Sequence, residues 1–299
     1  MRVAIIGGGS IGLLFAYYLN QKHHVTLYVR NQRQMELLRT NGLFLHKKGQ
    51  TFRTDVETRD ISEWGNHGED VSIICVKQYH LPALLDGARL PGEHSLLFVQ
   101  NGMGHLKMLE KLKNRDIFVA TIEHGALRLA ENEVNHTGEG ITRIAPFRGN
   151  NQRLIEKLIS PLERTFPFVK EEDYYRMLVK KLVVNAVINP LTAILRVPNG
   201  QLLDNPRYFE LVKMVFAEVN TILELDDEEA YFNNLLQVCR TTANNRSSML
   251  KDLEERRPTE VDAILGYLLE KAEEKNLPAP HAAMLYNMIK GSELQIRGE

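Results

Sequence analysis

Apolar and polar positions follow two regimes along the chain. In the first, short continuous apolar runs of strand length recur: Val3-Ala4-Ile5-Ile6, Val25-Thr26-Leu27-Tyr28-Val29, Val71-Ser72-Ile73-Ile74-Cys75-Val76, Leu96-Leu97-Phe98-Val99 and Ile117-Phe118-Val119-Ala120-Thr121-Ile122. Runs of this kind, bounded by glycine or polar turns and interleaved with helix-like segments such as 13–19, predict strands buried on both faces of a sheet. Residues 43–56 are more polar and strand-like around a Lys47-Lys48-Gly49 turn. Residues 141–145 are expected to form a hairpin with the segment around Val134, because Thr137-Gly138-Glu139-Gly140 is turn-like. Residues 152–165 read as a helix packing back on the sheet. Phe166-Pro167-Phe168-Val169 reads as a short extended link, since proline opposes a helix through it.

After residue 168 strand alternation stops and long helical patterns take over, at 173–195, 205–225, 227–245, 259–275 and 281–293. The first of these holds Lys180-Lys181-Leu182-Val183-Val184-Asn185-Ala186-Val187-Ile188-Asn189-Pro190-Leu191, either one helix or a helix broken at Asn189-Pro190. Within this apolar stretch Lys181, Asn185 and Asn189 stand at i, i+4 and i+8, on one helical face. Burying them unpaired costs roughly 1–3 kcal/mol for each amide and more for the charge. The row therefore faces a polar cavity or forms a narrow solvated stripe; spacing alone fits both.

The first strand leads directly into Gly7-Gly8-Gly9-Ser10-Ile11-Gly12, and a helix-like segment and second strand follow. Strand, G-x-G-x-x-G, helix and strand within about thirty residues is the context of a dinucleotide site. Gly7 makes the tight turn, Gly9 lets the backbone approach a pyrophosphate, and Gly12 lets helix and strand pack closely. The helix start at Ser10 and Ile11 offers free N–H groups to the anion. The fold class expected is an α/β N-terminal Rossmann-like domain with a mostly parallel, doubly wound sheet over 1–168. An all-α C-terminal domain follows over 169–299.

The end of the second strand selects the cofactor. An NAD site usually places an acid there for the ribose 2′-hydroxyl; here stands Arg30, with Asn31 and Arg33 after it. A guanidinium pairs well with a 2′-phosphate, so the expectation is NADP. Lys77 and Asn101 follow the next two strands, where ligands bind in such sheets, although a strand-end charge and a plain Asn-Gly turn describe them equally well. Near the far end, Asn244-Asn245-Arg246-Ser247-Ser248 joins two helices, and Thr259 heads a helix with Glu260 and Asp262 in its first turn. Capping and dipole effects explain both features without a ligand.

Composition narrows the partners. The 299-residue chain has a net charge of −1, which points to neither nucleic acid nor another polyanion. Its hydrophobic share of 43% and charged share of 25% are those of a soluble globular protein, and no run reads as a membrane span. The opening Met-Arg, strand and glycine cluster do not resemble a signal peptide. Cys75 and Cys239 lack metal or redox spacing, so no metal is expected, and buried free thiols in a reducing cytoplasm are.

Taken in order, the motifs resemble the ketopantoate reductase (2-dehydropantoate 2-reductase) family over nearly the whole chain. They are Gly7-x-Gly9-x-x-Gly12, Val76-Lys77, Gln100-Asn101-Gly102-Met103-Gly104, Lys181-Leu182-x-x-Asn185-x-x-Ile188-Asn189-Pro190-Leu191-Thr192-Ala193, Pro198-Asn199-Gly200, Asn245-x-Ser247-Ser248-Met249-Leu250-x-Asp252 and Thr259-Glu260-Val261-Asp262. The resemblance implies a Rossmann domain, a helical domain and an active site in the cleft between them. It implies Lys181 as the general acid to a ketone and Glu260 as a second catalytic residue beside it. It implies Asn185, Asn189 and Ser248 at the substrate, with Asn199 and Asn245 as further polar positions. It also implies Lys77 and Asn101 near the nicotinamide ribose and substrate, and Arg30 at the 2′-phosphate. The activity implied is NADPH-dependent reduction of 2-dehydropantoate to (R)-pantoate, on the route to pantothenate and coenzyme A. The segment after Lys77, Gln78-Tyr79-His80, varies in the family and carries no role. Alternatives are a related reductase of another 2-keto acid and a non-catalytic NADP-binding regulatory protein. The expected partners are a small 2-keto acid and neither nucleic acid nor membrane, in a monomer or homodimer.

Overall fold

A computed structural model describes residues 1–87 and 90–297. Two compact units make up the chain: Met1–Gln100 with Lys107–Met177, and Asn101–Leu106 with Leu178–Glu299.

The first unit opens β1 Arg2–Ile6, α1 Ser10–Asn20, β2 His24–Val29 and α2 Gln32–Asn41. Then come β3 Leu43–Lys47, β4 Gln50–Thr54, β5 Glu57–Asp60, β6 Val71–Ile74, α3 Leu81–Gly87, β7 Ser95–Phe98 and α4 Leu106–Lys111. It closes with β8 Ile117–Ile122, β9 Gly125–Ala130, β10 Glu133–Gly138, β11 Thr142–Arg148, α5 Gln152–Ile159 and β12 Phe168–Lys170. The main sheet has the order β5-β2-β1-β6-β7-β8-β11-β12. Its first six strands are parallel, in the doubly wound order that reverses between β1 and β6. The apolar runs read from the sequence are these central strands, and Val3, Ile5, Val71, Ile73 and Leu97 are fully buried. Phe15 of α1 meets Phe166 edge-on at 5.1 Å and Tyr18 stacks on Phe166 at 4.6 Å, which locks α1 to the sheet. Removing the Phe15 ring would cost about 3–5 kcal/mol.

In this unit three expectations need correction. Residues 141–145 do not pair with the Val134 segment. β11 joins β8 antiparallel in the main sheet, while β10 joins β3 and β9 in a separate four-stranded sheet, β4-β3-β10-β9. Thr142, Ile144 and Ala145 are buried, so β11 needs cover on both faces, which a two-stranded ribbon lacks. The helix at 152–165 stops at Ile159 and closes in a 3₁₀ turn over Ser160–Leu162, because Pro161 has no N–H to continue the ladder. The link at 166–169 contains a strand: β12 pairs parallel with β11, Thr142 opposite Phe168. The boundary read near residue 168 thus lies on the sheet's edge strand.

The second unit is helical: α6 Tyr174–Leu195, α7 Gln201–Asp204, α8 Pro206–Leu223, α9 Glu228–Thr241, α10 Ser248–Glu254, α11 Tyr267–Glu274 and α12 Pro280–Arg297. A π-turn over Asp262–Gly266 runs into α11. α6 is continuous through Pro190. The proline denies the Ala186 carbonyl its usual donor, but burial from Ala186 to Ala193 holds the helix, and Thr192 Oγ1 bonds the Ile188 and Asn189 carbonyls at 2.7 and 3.1 Å. By length and composition α6 does pass for a membrane span, contrary to the sequence reading; 67% of its apolar window is buried, as in a core helix. The pattern read over 227–245 ends at Thr241. A further helix, α10, starts at Ser248, capped by Ser247 Oγ accepting from Leu250 N at 3.1 Å.

Candidate active site

In the first unit the glycine loop leaves β1 at the point where the strand order reverses. Gly7 adopts φ +108°, a Cβ on Gly12 would stand 1.8 Å from the Gly7 carbonyl oxygen, and Gly9 faces open space. Gly9 carries no side chain to occupy the start of α1, where Ser10 and Ile11 open the helix. The loop is thus shaped for close approach of an anion to backbone N–H groups. Gln34 of α2, which the sequence reading missed, holds it: Gln34 Nε2 donates to the Gly8 carbonyl at 2.8 Å and to the Glu131 carbonyl at 2.6 Å. Ser10 Oγ is used locally, accepting from Arg128 N at 3.1 Å.

Arg30 lies exposed just beyond β2, and Lys77 is half-buried just beyond β6. Burial, followed by the positive charges of Arg30 and Lys77, lowers the pKa of His80. The two cations therefore both act on His80, from the carboxyl ends of β2 and β6, the strands that flank β1. Such a patch favours a phosphate dianion. These residues fit a nicotinamide dinucleotide: open backbone at the helix start for its pyrophosphate and a basic patch for its ribose end.

In the second unit three contacts bring predicted site residues together. Asn101 Nδ2 donates to Glu260 Oε2 at 2.8 Å, across 159 residues of chain. Asn189 Nδ2 donates to Ser248 Oγ at 3.5 Å. Asn199 N donates to the Asn245 carbonyl at 2.9 Å, while Asn199 Nδ2 donates to Thr242 Oγ1 at 2.8 Å. Lys181 and Asn185 are half-buried and Asn189 is 7% exposed, so the polar row sinks inward along α6 rather than forming a solvated stripe. Ser248 and Asn245 are exposed, and Glu260 is half-buried. Asn101, read from the sequence as a strand-end residue of the dinucleotide fold, belongs to this unit.

The backbone around Glu260 is tightly specified. Met103 N donates to the Ala263 carbonyl at 3.1 Å, and a Cβ on Gly102, whose φ is +73°, would stand 2.1 Å from that oxygen. The π-turn begins two residues after Glu260; such turns gather at functional sites because they re-aim side chains and carbonyls. The supports of the site escaped the sequence reading. The Thr192 and Ser247 hydroxyls meet at 2.7 Å, Ser247 donating because the Thr192 proton goes to the α6 carbonyls, and this ties α6 to the start of α10 beside Ser248. Glu293 accepts from both Thr259 N and Thr259 Oγ1 at 2.7 Å. Neither partner has a local signal, because both contacts join residues far apart in the chain.

Residues 3–149 match the family described as ketopantoate reductase PanE/ApbA, and residues 173–293 match its C-terminal counterpart, ketopantoate reductase PanE/ApbA C terminal. The 2-dehydropantoate 2-reductase of Bacillus subtilis (strain 168) is 42% identical over 294 residues, covering 98% of both chains. The crystal structure of probable 2-dehydropantoate 2-reductase panE from Bacillus subtilis superposes with a TM-score of 0.88 at 40% identity, covering 98% of this chain and 100% of that one. D-mandelate dehydrogenase with NADH and anilino(oxo)acetate shares the fold, with a TM-score of 0.90 at 20% identity, covering 99% of this chain and 100% of that one.

Proposed function

Because the chain belongs to the ketopantoate reductase family, we propose that it reduces 2-dehydropantoate to (R)-pantoate with NADPH, on the route to pantothenate and coenzyme A. The full-length identity to the curated reductase carries this reading, and the arrangement of polar residues along α6 supports it.

The residues divide the work. Backbone N–H groups at Ser10, Ile11 and Gly12 take the pyrophosphate, with Gly7 and Gly9 keeping the approach clear. Arg30 holds the 2′-phosphate, and this selects NADP over NAD; Lys77 and Asn101 serve the nicotinamide ribose. When bound, the nicotinamide supplies the hydride. Lys181 places an ammonium where the ketone oxygen gains negative charge, then donates its proton to give the hydroxyl. Glu260, oriented by Asn101, acts as the second catalytic group and keeps the lysine and substrate in register. Asn185, Asn189 and Ser248 hold the substrate's carboxylate and hydroxyl, with Asn199 and Asn245 shaping that wall. The two free cysteines, one of them fully buried, support a cytoplasmic location.

The test is NADPH oxidation with 2-dehydropantoate beside 2-ketoisovalerate and pyruvate. A kcat/KM for 2-dehydropantoate at least tenfold above either competitor is expected. Preference for another keto acid would discard the substrate and keep the chemistry. NADPH binding without turnover on any of them would discard the enzyme reading.

A further inference from the structure

Glu260 sits in a turn with anchored neighbours on both sides. Thr259, 3% exposed, gives its N–H and its hydroxyl to one oxygen of Glu293, each at 2.7 Å, and its Oγ1 accepts from Val261 N at 3.2 Å. Glu293 is itself only 5% exposed. Its other oxygen pairs with Lys290 Nζ at 3.1 Å, and Lys290 reaches on to Asp262 Oδ2 at 3.1 Å. Asp262 also accepts from Tyr286 OH at 2.7 Å. Partial burial opposes the Lys290 charge, but its bonds to Asp262 and Glu293 outweigh this and raise its pKa, so it stays an ammonium. One helix, α12, thus grips the residue before Glu260 and the residue two after it, while Asn101 holds the Glu260 carboxylate.

A buried carboxylate is retained where several donors satisfy it, and here they number three: a backbone N–H, a hydroxyl and an ammonium. Thr259 needs a cap acceptor only for its own turn, and a solvated threonine supplies that alone. Glu293 adds a fixed position for the turn across 34 residues of chain. A displacement of about 1 Å at a catalytic group lowers a rate by up to about a hundredfold.

We propose that Glu293 is a positioning residue for Glu260, acting through Thr259. The inference rests on the catalytic reading of Glu260 above and extends it to a residue with no place in the family motifs. Without the Glu293 carboxyl, the Thr259 N–H and hydroxyl lose their acceptor, the turn over 258–263 loosens, and the Glu260 carboxylate spends less time in its working position. Glutamine retains an oxygen for both Thr259 donors and gives up only the ion pair with Lys290, which keeps its bond to Asp262.

The test compares wild type, Glu293→Ala and Glu293→Gln as full-length chains. It measures kcat and both KM values with 2-dehydropantoate and NADPH, and hydrogen exchange of the 258–263 segment by mass spectrometry. For Glu293→Ala, kcat is expected to fall tenfold to a hundredfold with KM for NADPH unchanged, and exchange over 258–263 to rise. Glu293→Gln is expected to recover kcat to within about threefold of wild type, as two of three bonds remain. Wild-type kcat in Glu293→Ala overturns the proposal, as does an equal loss in both variants that tracks melting temperature. Should Glu293→Ala not fold, Thr259→Ser, which keeps the hydroxyl, and Thr259→Val, which loses both its bond to Glu293 and the cap on Val261 N, are compared by the same exchange and kcat measurements; wild-type kcat and wild-type exchange over 258–263 in Thr259→Val overturn the proposal. If the wild type turns over no keto acid, the catalytic reading has failed, and exchange decides the positioning claim: unchanged protection in Glu293→Ala defeats it and raised exchange sustains it.

Discussion

The two units build their polar sites in opposite ways. In the first, the glycine loop is six consecutive residues between a strand and a helix, and its geometry follows from local sterics: a positive φ at Gly7 and a 1.8 Å approach at Gly12 that no Cβ survives. In the second, the partners come from separate segments and are held pair by pair: Asn101 to Glu260, Asn189 to Ser248, and Thr259 to Glu293 through two bonds. A local motif is robust because the chain cannot form the turn otherwise. An assembled site depends on every helix that carries a member. Binding of a dinucleotide and chemistry on a keto acid should therefore fail independently.

The largest effect is expected from Lys181→Ala. With the proton donor gone, kcat should fall about a hundredfold to ten-thousandfold. The NADPH dissociation constant, read by fluorescence titration, should stay at the wild-type value. Loss of NADPH binding in this variant would break the separation between the units.

Acid stability comes next. Burial pushes His124 of the first unit down to about 4, with the charges of His136 and Lys47 adding to the shift and Glu139 opposing it. Burial alone does the same to His105 of the second unit, whose two ring nitrogens lack partners among the described residues. In the unfolded chain both titrate near the ordinary value of 6.5. Between those values the unfolded chain binds protons that the folded chain refuses. The stability from the neutral buried rings is complete above 6.5 and is lost as pH falls toward 4, at most about 3 kcal/mol for each ring. Urea unfolding at pH 7.0 and 4.5 should show the drop. His124→Phe should flatten the part of the slope that belongs to the first unit. A slope unchanged by that variant would move the acid sensitivity to the other buried histidines, His105 of the second unit and His23, His94 and His136 of the first, whose pKa values burial also lowers.

Arg30→Ala should have the smallest effect and run opposite to Lys181→Ala. One charge-assisted contact is worth about 1.5–3 kcal/mol, so NADPH binding should weaken roughly tenfold to a hundredfold. NADH binding and kcat at saturating cofactor should barely change. Equal losses for NADPH and NADH would remove Arg30 from the 2′-phosphate.

By itself the amino-acid sequence determined the parts whose physics is short-range. The buried parallel strands are continuous apolar runs, the glycine loop is a contiguous motif, and the row Lys181, Asn185 and Asn189 follows from a helical period that Pro190 leaves intact. Thr259 at the head of its turn was legible as a cap for the same reason. Tertiary packing settled what depends on distant partners. β11 left its neighbour β10 for the main sheet because its buried face had to be covered. Phe168–Lys170 became a strand because an open edge of β11 stood beside it. Glu293 had no signature in the chain, since a buried carboxylate reveals its purpose only through donors that lie 34 residues away. Periodicity encodes which face of an element is buried, whereas the partner on that face is a property of the whole fold.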